Sequence, residues 1–196
     1  LWPAAWRGLA RLKQARGDRD GAAAAFREAL RLDPADPFGC LLELARLGAA
    51  MHVDAAPPAY VAALFDAYAA DFDKALVERL DYAAPHALAA LARSVAPAGA
   101  GRRFSRALDL GCGTGLAGEA LRADIAWLEG VDLSRGMLAK AAGKGVYDRL
   151  EHGDLVAALA ADGEPYDLIL AADGLIYAGD LSRIIASMAV RLSPAG

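Results

Sequence analysis

From Trp2 to about Gly48 the apolar positions return every three or four residues, the period of an amphipathic helix, and Gly17-Asp18 divides that pattern into two helices. Pro57-Pro58 opens another segment, in which Val61, Leu64, Phe65, Tyr68 and Phe72 fall at i, i+3, i+4, i+7 and i+11. That spacing predicts one helix carrying a single apolar stripe. Pro85 suits the first turn of a further short helix, and residues 94–101 (SVAPAGAG) read as a linker. Beyond Phe104 the period changes. Short apolar runs (Ala107-Leu108 with Leu110, then Val131, then Leu168 to Ala172) alternate with helical stretches, as in βαβ units built on a parallel sheet. The expectation is a helical hairpin over 1–50, a helical lid or cap over 57–98, and an α/β core over 102–196.

The first stretch also has an internal signature. Trp6, Leu9, Ala10, Gly17, Asp18, Ala22, Phe26, Ala29 and Pro34 resemble one tetratricopeptide unit of about 34 residues, with a partial continuation from Asp36 to Gly48. Small Ala10, Ala22 and Ala29 let two antiparallel helices approach closely, Trp6 and Phe26 fill the gap, and Gly17 allows the turn. Lys13 stands where the repeat usually has an aromatic. A lone repeat cannot bury its face, since about three are needed for an independent array. The hairpin therefore reads as a protein-binding groove, as an arm that caps or dimerises the main domain, or as the remainder of a truncated array.

Composition removes several classes of function. Net charge is -4 and no basic run exceeds two residues, which argues against nucleic-acid binding through bulk charge. With 56% hydrophobic and 23% charged residues the chain is not of the disordered class. No apolar stretch approaches the roughly 20 residues that span a bilayer, so no membrane role is expected. Much of the apolar fraction is alanine, 49 of 196 residues, and with arginine far exceeding lysine this reads as coding bias. Cys40 and Cys112 lie far apart and share no ligand spacing with His52, His86 or His152, so a zinc site is not expected, and a reducing cytoplasm is the default compartment.

The chemistry concentrates at Leu108-Asp109-Leu110-Gly111-Cys112-Gly113-Thr114-Gly115. A strand ends at Leu110, a glycine loop follows, and a helix starts near Leu116. Glycines there accept positive φ and let bare backbone approach a ligand at the carboxyl end of the strand. Asp132 closes the next strand in LEGVDLS, where a carboxylate can accept from both hydroxyls of an adenosine ribose. Further strand ends fall at His152-Gly153-Asp154-Leu155 and along Tyr166 to Asp173. Gly113, Gly115 and Gly118 also satisfy the dinucleotide fingerprint, but a pyrophosphate would meet Asp109 at this loop. A cationic ammonium and sulfonium would be favoured there: at ~5 Å and an effective dielectric near ~20 each unit-charge interaction is on the order of 3 kcal/mol before desolvation.

On these motifs the stretch from about Tyr60 to Gly196 resembles a class I S-adenosylmethionine-dependent methyltransferase. With the repeat in front, the whole chain is similar to bacterial methyltransferases that carry tetratricopeptide repeats. The resemblance implies a Rossmann-like, doubly wound, mostly parallel sheet, with its first strands in the order 3-2-1-4. It implies that S-adenosylmethionine is the cofactor: Gly111, Cys112 and Gly113 line its methionine part, while Asp109 holds the loop and faces the amino group. Asp132 binds the ribose hydroxyls, Leu133 and Met137 flank the adenine, Asp154 accepts from the exocyclic amine, Leu155 lies against the ring and Ala171 lies beneath the sulfonium. The segment from Phe65 to Asp73 resembles the helical lid of small-molecule methyltransferases, with Tyr68 as the aromatic that closes over the cofactor. Met137 serves equally as helix core, Cys112 is a small loop residue and no reactive thiol, and His152 reads as a surface histidine.

Methyl transfer from a sulfonium is an in-line displacement, which makes alignment and exclusion of water the protein's main tasks. The fourth strand ends in Ala171-Ala172-Asp173-Gly174 and lacks the Asn/Asp-Pro-Pro-Tyr arrangement that the resemblance links to amino groups of bases or proteins, so a small-molecule acceptor is expected. Asp173 and Tyr177 are the candidates for assisting proton removal. The chain opens on Leu1 instead of Met, and it stops at Leu192-Ser193-Pro194-Ala195-Gly196, the turn that in the family leads into a fifth strand. The expectation is a domain completed by a longer chain or by a partner. Two other functions stay open on the residues: an NAD-dependent oxidoreductase, and a non-catalytic interaction protein whose cofactor domain is a relic.

Overall fold

In the computed structural model, which describes residues 2–50, 53–79, 82–96 and 103–194, Gly17 takes φ 80° and turns α1 (Pro3–Ala15) back onto α2 (Arg19–Leu32). Asp18 caps α2 by accepting the Gly21 N–H at 2.8 Å, and its Oδ2 meets Lys13 Nζ at 3.0 Å. Lys13 thus spends its length on the turn's carboxylate and lends no ring to the interface. Ala10, Ala22, Ala29 and Phe26 are buried together, with Trp6 packed against them, as the small-residue spacing predicted. The continuation forms α3 (Cys40–Arg46), whose Cys40 and Leu44 join the same core. Asp36, 3% exposed and at φ 55°, caps α3: its two carboxylate oxygens accept from Cys40 N at 2.7 Å and Leu41 N at 2.9 Å.

The chain divides into two compact units, residues 1–64 and 65–196. Helix α4 (Pro58–Tyr68) runs across that boundary. It stops at Tyr68, so the predicted stripe is cut before Phe72. Asp71 N–H turns onto Tyr68 O at 3.2 Å, and a π-helical stretch (Lys74–Arg79) follows. Phe65 and Phe72 still meet edge-on, ring centres 6.0 Å apart. Helix α5 (Ala84–Val95) has Pro85 in its first turn, and it extends into the expected linker, of which residues 97–101 lie outside the described residues.

The sheet consists of β1 (Phe104–Leu110), β2 (Ile125–Asp132), β3 (Arg149–His152) and β4 (Leu168–Leu170), all parallel and in the order 3-2-1-4. Helices α6 (Leu116–Leu121), α7 (Arg135–Lys144), α8 (Leu155–Ala160) and α9 (Leu181–Arg191) connect or follow the strands. Strand residues alternate between the two faces. Ala107, Leu128 and Leu170 pack with Ala89 and Ala92 of α5 and Leu121 of α6, while Leu108, Leu110 and Val131 pack with Leu159 of α8 and Ile184 of α9. This is the doubly wound arrangement expected. Midway along β2, buried Glu129 accepts from Arg106 at 2.6 Å, and from Trp127 Nε1 and Tyr166 Oη at 2.7 Å. Burial alone would raise its carboxyl, but those donors hold it below the ordinary range. The carboxyl ends of β1 and β2 carry Asp109 and Asp132.

Candidate functional site

Three glycines of the loop after β1 take positive φ: Gly111 at 68°, Gly113 at 56° and Gly115 at 89°. The turn is tied to the next strand, because Gly111 N and Cys112 N both donate to Val131 O, at 2.9 and 3.0 Å. Asp132, at the end of β2, completes the bracket by accepting Gly113 N–H on Oδ2 and Ser134 N–H on Oδ1, each at 2.8 Å. Burial raises its carboxyl above the usual range, against the pull of those two amides. Each oxygen keeps lone-pair capacity for a further donor, which is the condition for holding a vicinal diol.

Asp109 lies under this loop, 1% exposed. Its Oδ2 accepts from Tyr147 Oη at 2.7 Å, and its Oδ1 is buried with no partner among the described residues. Burial pushes the carboxyl up to about 6, the Tyr147 hydrogen bond pulls it down, and Asp132 adds a smaller upward push. Tyr147 has no motif to announce it; the signal in the sequence is the absence of side chains around it. A Cβ on Gly118 would lie 2.5 Å from its hydroxyl, and Cβ atoms on Gly115 and Gly130 would each come within 2.9 Å of its ring. The third glycine of the apparent dinucleotide fingerprint thus makes room for a phenol. Cys112 is buried beside Gly130, and its thiol is pushed well above its ordinary range by burial first and by the two carboxylates second, so it is a neutral filler.

The segment ahead of the core is fastened over α7 and the glycine loop. Asp66 Oδ1 accepts from Ser134 Oγ at 2.6 Å and Gly136 N at 2.8 Å. Asp73 accepts from Thr114 Oγ1 and pairs with Lys144 at 3.0 Å. Phe65 meets Tyr177 edge-on, centroids 5.4 Å apart, whereas the Tyr68 side is turned outward, with 58% of that residue exposed. These attachments were not visible as motifs, because each joins residues more than forty positions apart.

The remaining expected residues distribute as follows. Leu133 is half-buried and its carbonyl meets exposed His152 Nε2 at 3.0 Å; Met137 is 1% exposed within α7. Asp154 caps α8, its Oδ1 accepting Val156 N–H at 2.9 Å and Ala157 N–H at 3.1 Å, and Leu155 packs toward the α8–α9 side of the sheet. Ala171 follows β4 on that same side. Asp173 stands beside Tyr82, whose hydroxyl is pushed upward by burial first and by that carboxylate second. Gly174 lies directly against Gly111, so that a Cβ on Gly111 would come 3.0 Å from the Gly174 Cα. Among the described residues no group of His, Cys, Asp and Glu is placed to hold a metal ion, and no helix is long and apolar enough to cross a membrane. A buried anion with one oxygen unpartnered, under a loop of bare backbone, fits a cationic ligand end better than a pyrophosphate.

Residues 107–196 match the family described as methyltransferase domain, and residues 3–47 match the tetratricopeptide repeat. No curated protein matches the chain. Among solved structures, a chain of the complex between the Haloferax volcanii Trm112 methyltransferase activator and a methyltransferase is 31% identical, with a TM-score of 0.54, over 67% of this chain and 57% of that one. DhpI in its SAH complex is 27% identical, with a TM-score of 0.53, over 68% of this chain and 62% of that one. An S-adenosylmethionine-dependent methyltransferase from Clostridium acetobutylicum is 25% identical, with a TM-score of 0.51, over 68% and 55%. The chain thus spans less than two thirds of the length of each of these relatives. Residues 107–196 thus carry a methyltransferase domain, preceded at residues 3–47 by a tetratricopeptide repeat.

Proposed function

We propose that the unit from Phe65 onward binds S-adenosylmethionine on the glycine loop and directs its methyl group to a small-molecule acceptor. The observation that carries this reading is Asp109, a buried carboxylate with one oxygen unpartnered among the described residues, directly beneath that loop. Such a charge attracts a cationic amino acid end and repels a phosphate bridge. When bound, the cofactor supplies an electrophilic methyl on sulfur, and the chain's residues align and enclose it. Gly111, Cys112 and Gly113 present their backbone to the methionine part, and Asp132 accepts the ribose hydroxyls with the lone pairs its two amide bonds leave free. Leu133 and Met137 flank the adenine, Asp154 receives its amine while capping α8, Leu155 supports the ring, and Ala171 leaves room beneath the sulfur. Tyr68, on the lid side and 58% exposed, closes over the cofactor by turning inward.

Asp173 and Tyr177, just beyond β4, face the acceptor side, and either is suited to take the proton that the acceptor releases. A small acceptor is supported by the end of the fourth strand, Ala171-Ala172-Asp173-Gly174, which lacks the Asn/Asp-Pro-Pro-Tyr arrangement linked to amino groups of bases or proteins. The tetratricopeptide hairpin is assigned to a protein partner or to self-association. Isothermal titration with S-adenosylmethionine, S-adenosylhomocysteine and NAD tests the reading: binding of the first two is expected, and binding of NAD alone overturns it. With labelled cofactor and a metabolite extract, Asp173→Asn or Tyr177→Phe is expected to slow incorporation; unchanged turnover in both removes them from the proposal.

A further inference from the structure

Tyr147 belongs to none of the motifs above, yet three glycines around the loop leave the space that it fills. It stands in the turn between α7 and β3, its hydroxyl donating to Asp109 Oδ2 at 2.7 Å. Three glycines from three different elements open the hole it fills: Gly115 of the loop, Gly118 of α6 and Gly130 of β2. Any side chain at Gly118 would strike the phenolic oxygen, so the packing fixes where the hydroxyl points. We propose that Tyr147 is a positioning residue: through its hydrogen bond to Asp109 it governs how tightly the glycine loop holds a cationic cofactor. This rests on the cofactor reading given above and adds a residue to it.

The electrostatic surroundings explain why one hydroxyl has such leverage. Among the described residues, the titratable groups that face Asp109 are Tyr147 from the α7–β3 turn, Asp132 from the end of β2, Cys112 from the loop and Tyr82 from ahead of α5. None of these four is a cation. Burial and Asp132 both push the carboxyl toward its neutral form, and the Tyr147 hydroxyl opposes them, leaving it at about 6. A neutral Asp109 offers a cation nothing, so loss of the phenol weakens binding in the pH range where the proton returns. A hydrogen bond to a carboxylate is worth roughly one to two pH units of titration midpoint.

The test is titration of the wild-type chain and of Tyr147→Phe with S-adenosylhomocysteine from pH 5 to 8, with 5′-methylthioadenosine, which lacks the charged amino acid end, as the neutral probe. In the wild type, homocysteine-product affinity is expected to fall as pH drops through about 6. In Tyr147→Phe that fall is expected about one pH unit higher, making binding roughly fivefold weaker at pH 6 and nearly equal at pH 8, while the neutral probe shows no such displacement. Gly118→Ala, which must push the phenol aside, is the second variant and is expected to move the profile the same way. Identical pH profiles in the wild type and in a folded variant overturn the proposal and leave the cofactor reading standing. Failure of the wild type to bind either probe at any pH overturns the cofactor reading and this proposal with it.

Discussion

The Ser134 hydroxyl donates to Asp66 Oδ1 at 2.6 Å while accepting the Met137 N–H at 3.0 Å, so one fully buried oxygen both caps α7 and ties the lid segment to the end of β2. Ser134→Ala loses the cap and leaves Asp66 short of a donor. The expected cost is about 2 kcal/mol in urea denaturation. A change within about 0.5 kcal/mol, the range of an ordinary surface substitution, would show that the lid is not fastened there.

Asp109 makes the ligand-free domain pH-sensitive in a direction opposite to that of most carboxylates. Its carboxyl stands at about 6 when folded against an ordinary 3.8, so the folded state holds the proton more firmly. The Asp109 contribution to stability is therefore full below about pH 4 and is lost as pH rises through 6, by on the order of 3 kcal/mol. Asp109→Asn is expected to raise the unfolding temperature at pH 7.5 and flatten its pH profile while weakening binding of S-adenosylhomocysteine. A lower unfolding temperature at that pH would contradict the charge assignment.

Gly174 and Gly111 touch backbone to backbone, which brings the loop after β4 against the loop after β1. A Cβ on Gly174 would lie 3.1 Å from the Gly111 Cα and 3.2 Å from Leu110 O, and neither atom belongs to a side chain that can swing away. Gly174→Ala is expected to destabilise by about 1–3 kcal/mol and to weaken cofactor binding. Calorimetric unfolding with and without S-adenosylhomocysteine separates the two effects; wild-type values in both would show that the loops are free to part.

In the amino-terminal unit the sharpest test is Asp36. Its left-handed backbone at φ 55° and its two amide acceptors suit Asp or Asn and suit alanine poorly. Asp36→Ala is expected to cost about 2 kcal/mol, Asp36→Asn clearly less, and Asp36→Gly an intermediate amount because it relieves the backbone but loses the cap. Equal losses in all three, measured by thermal unfolding, would assign the effect to burial and not to capping.

Lys13 and Tyr147 mark the limit of what local pattern conveys. The helical hairpin was legible because Gly17 and the small residues of α1 and α2 act over a few turns, and Lys13 departs from the repeat yet finds Asp18 five residues on. The glycine loop and Asp132 were legible for a similar reason: backbone freedom and a strand-end carboxylate are properties of residue type and nearby spacing. The helix break at Tyr68 was not legible, since the apolar period continues to Phe72 while the chain is drawn out of the helix toward Thr114 and Lys144.

The one-dimensional pattern thus determined the fold class, the glycine turn proposed to meet the cofactor and the sign of the charge beneath it, because periodicity, glycine content and an acid before the loop are all local quantities. Tertiary structure alone decided that Tyr147 holds that acid, that Asp66 and Asp73 fasten the lid, and that Gly174 rests on Gly111. Those relationships depend on which side chains share a small volume, and packing density couples residues without regard to their distance along the chain.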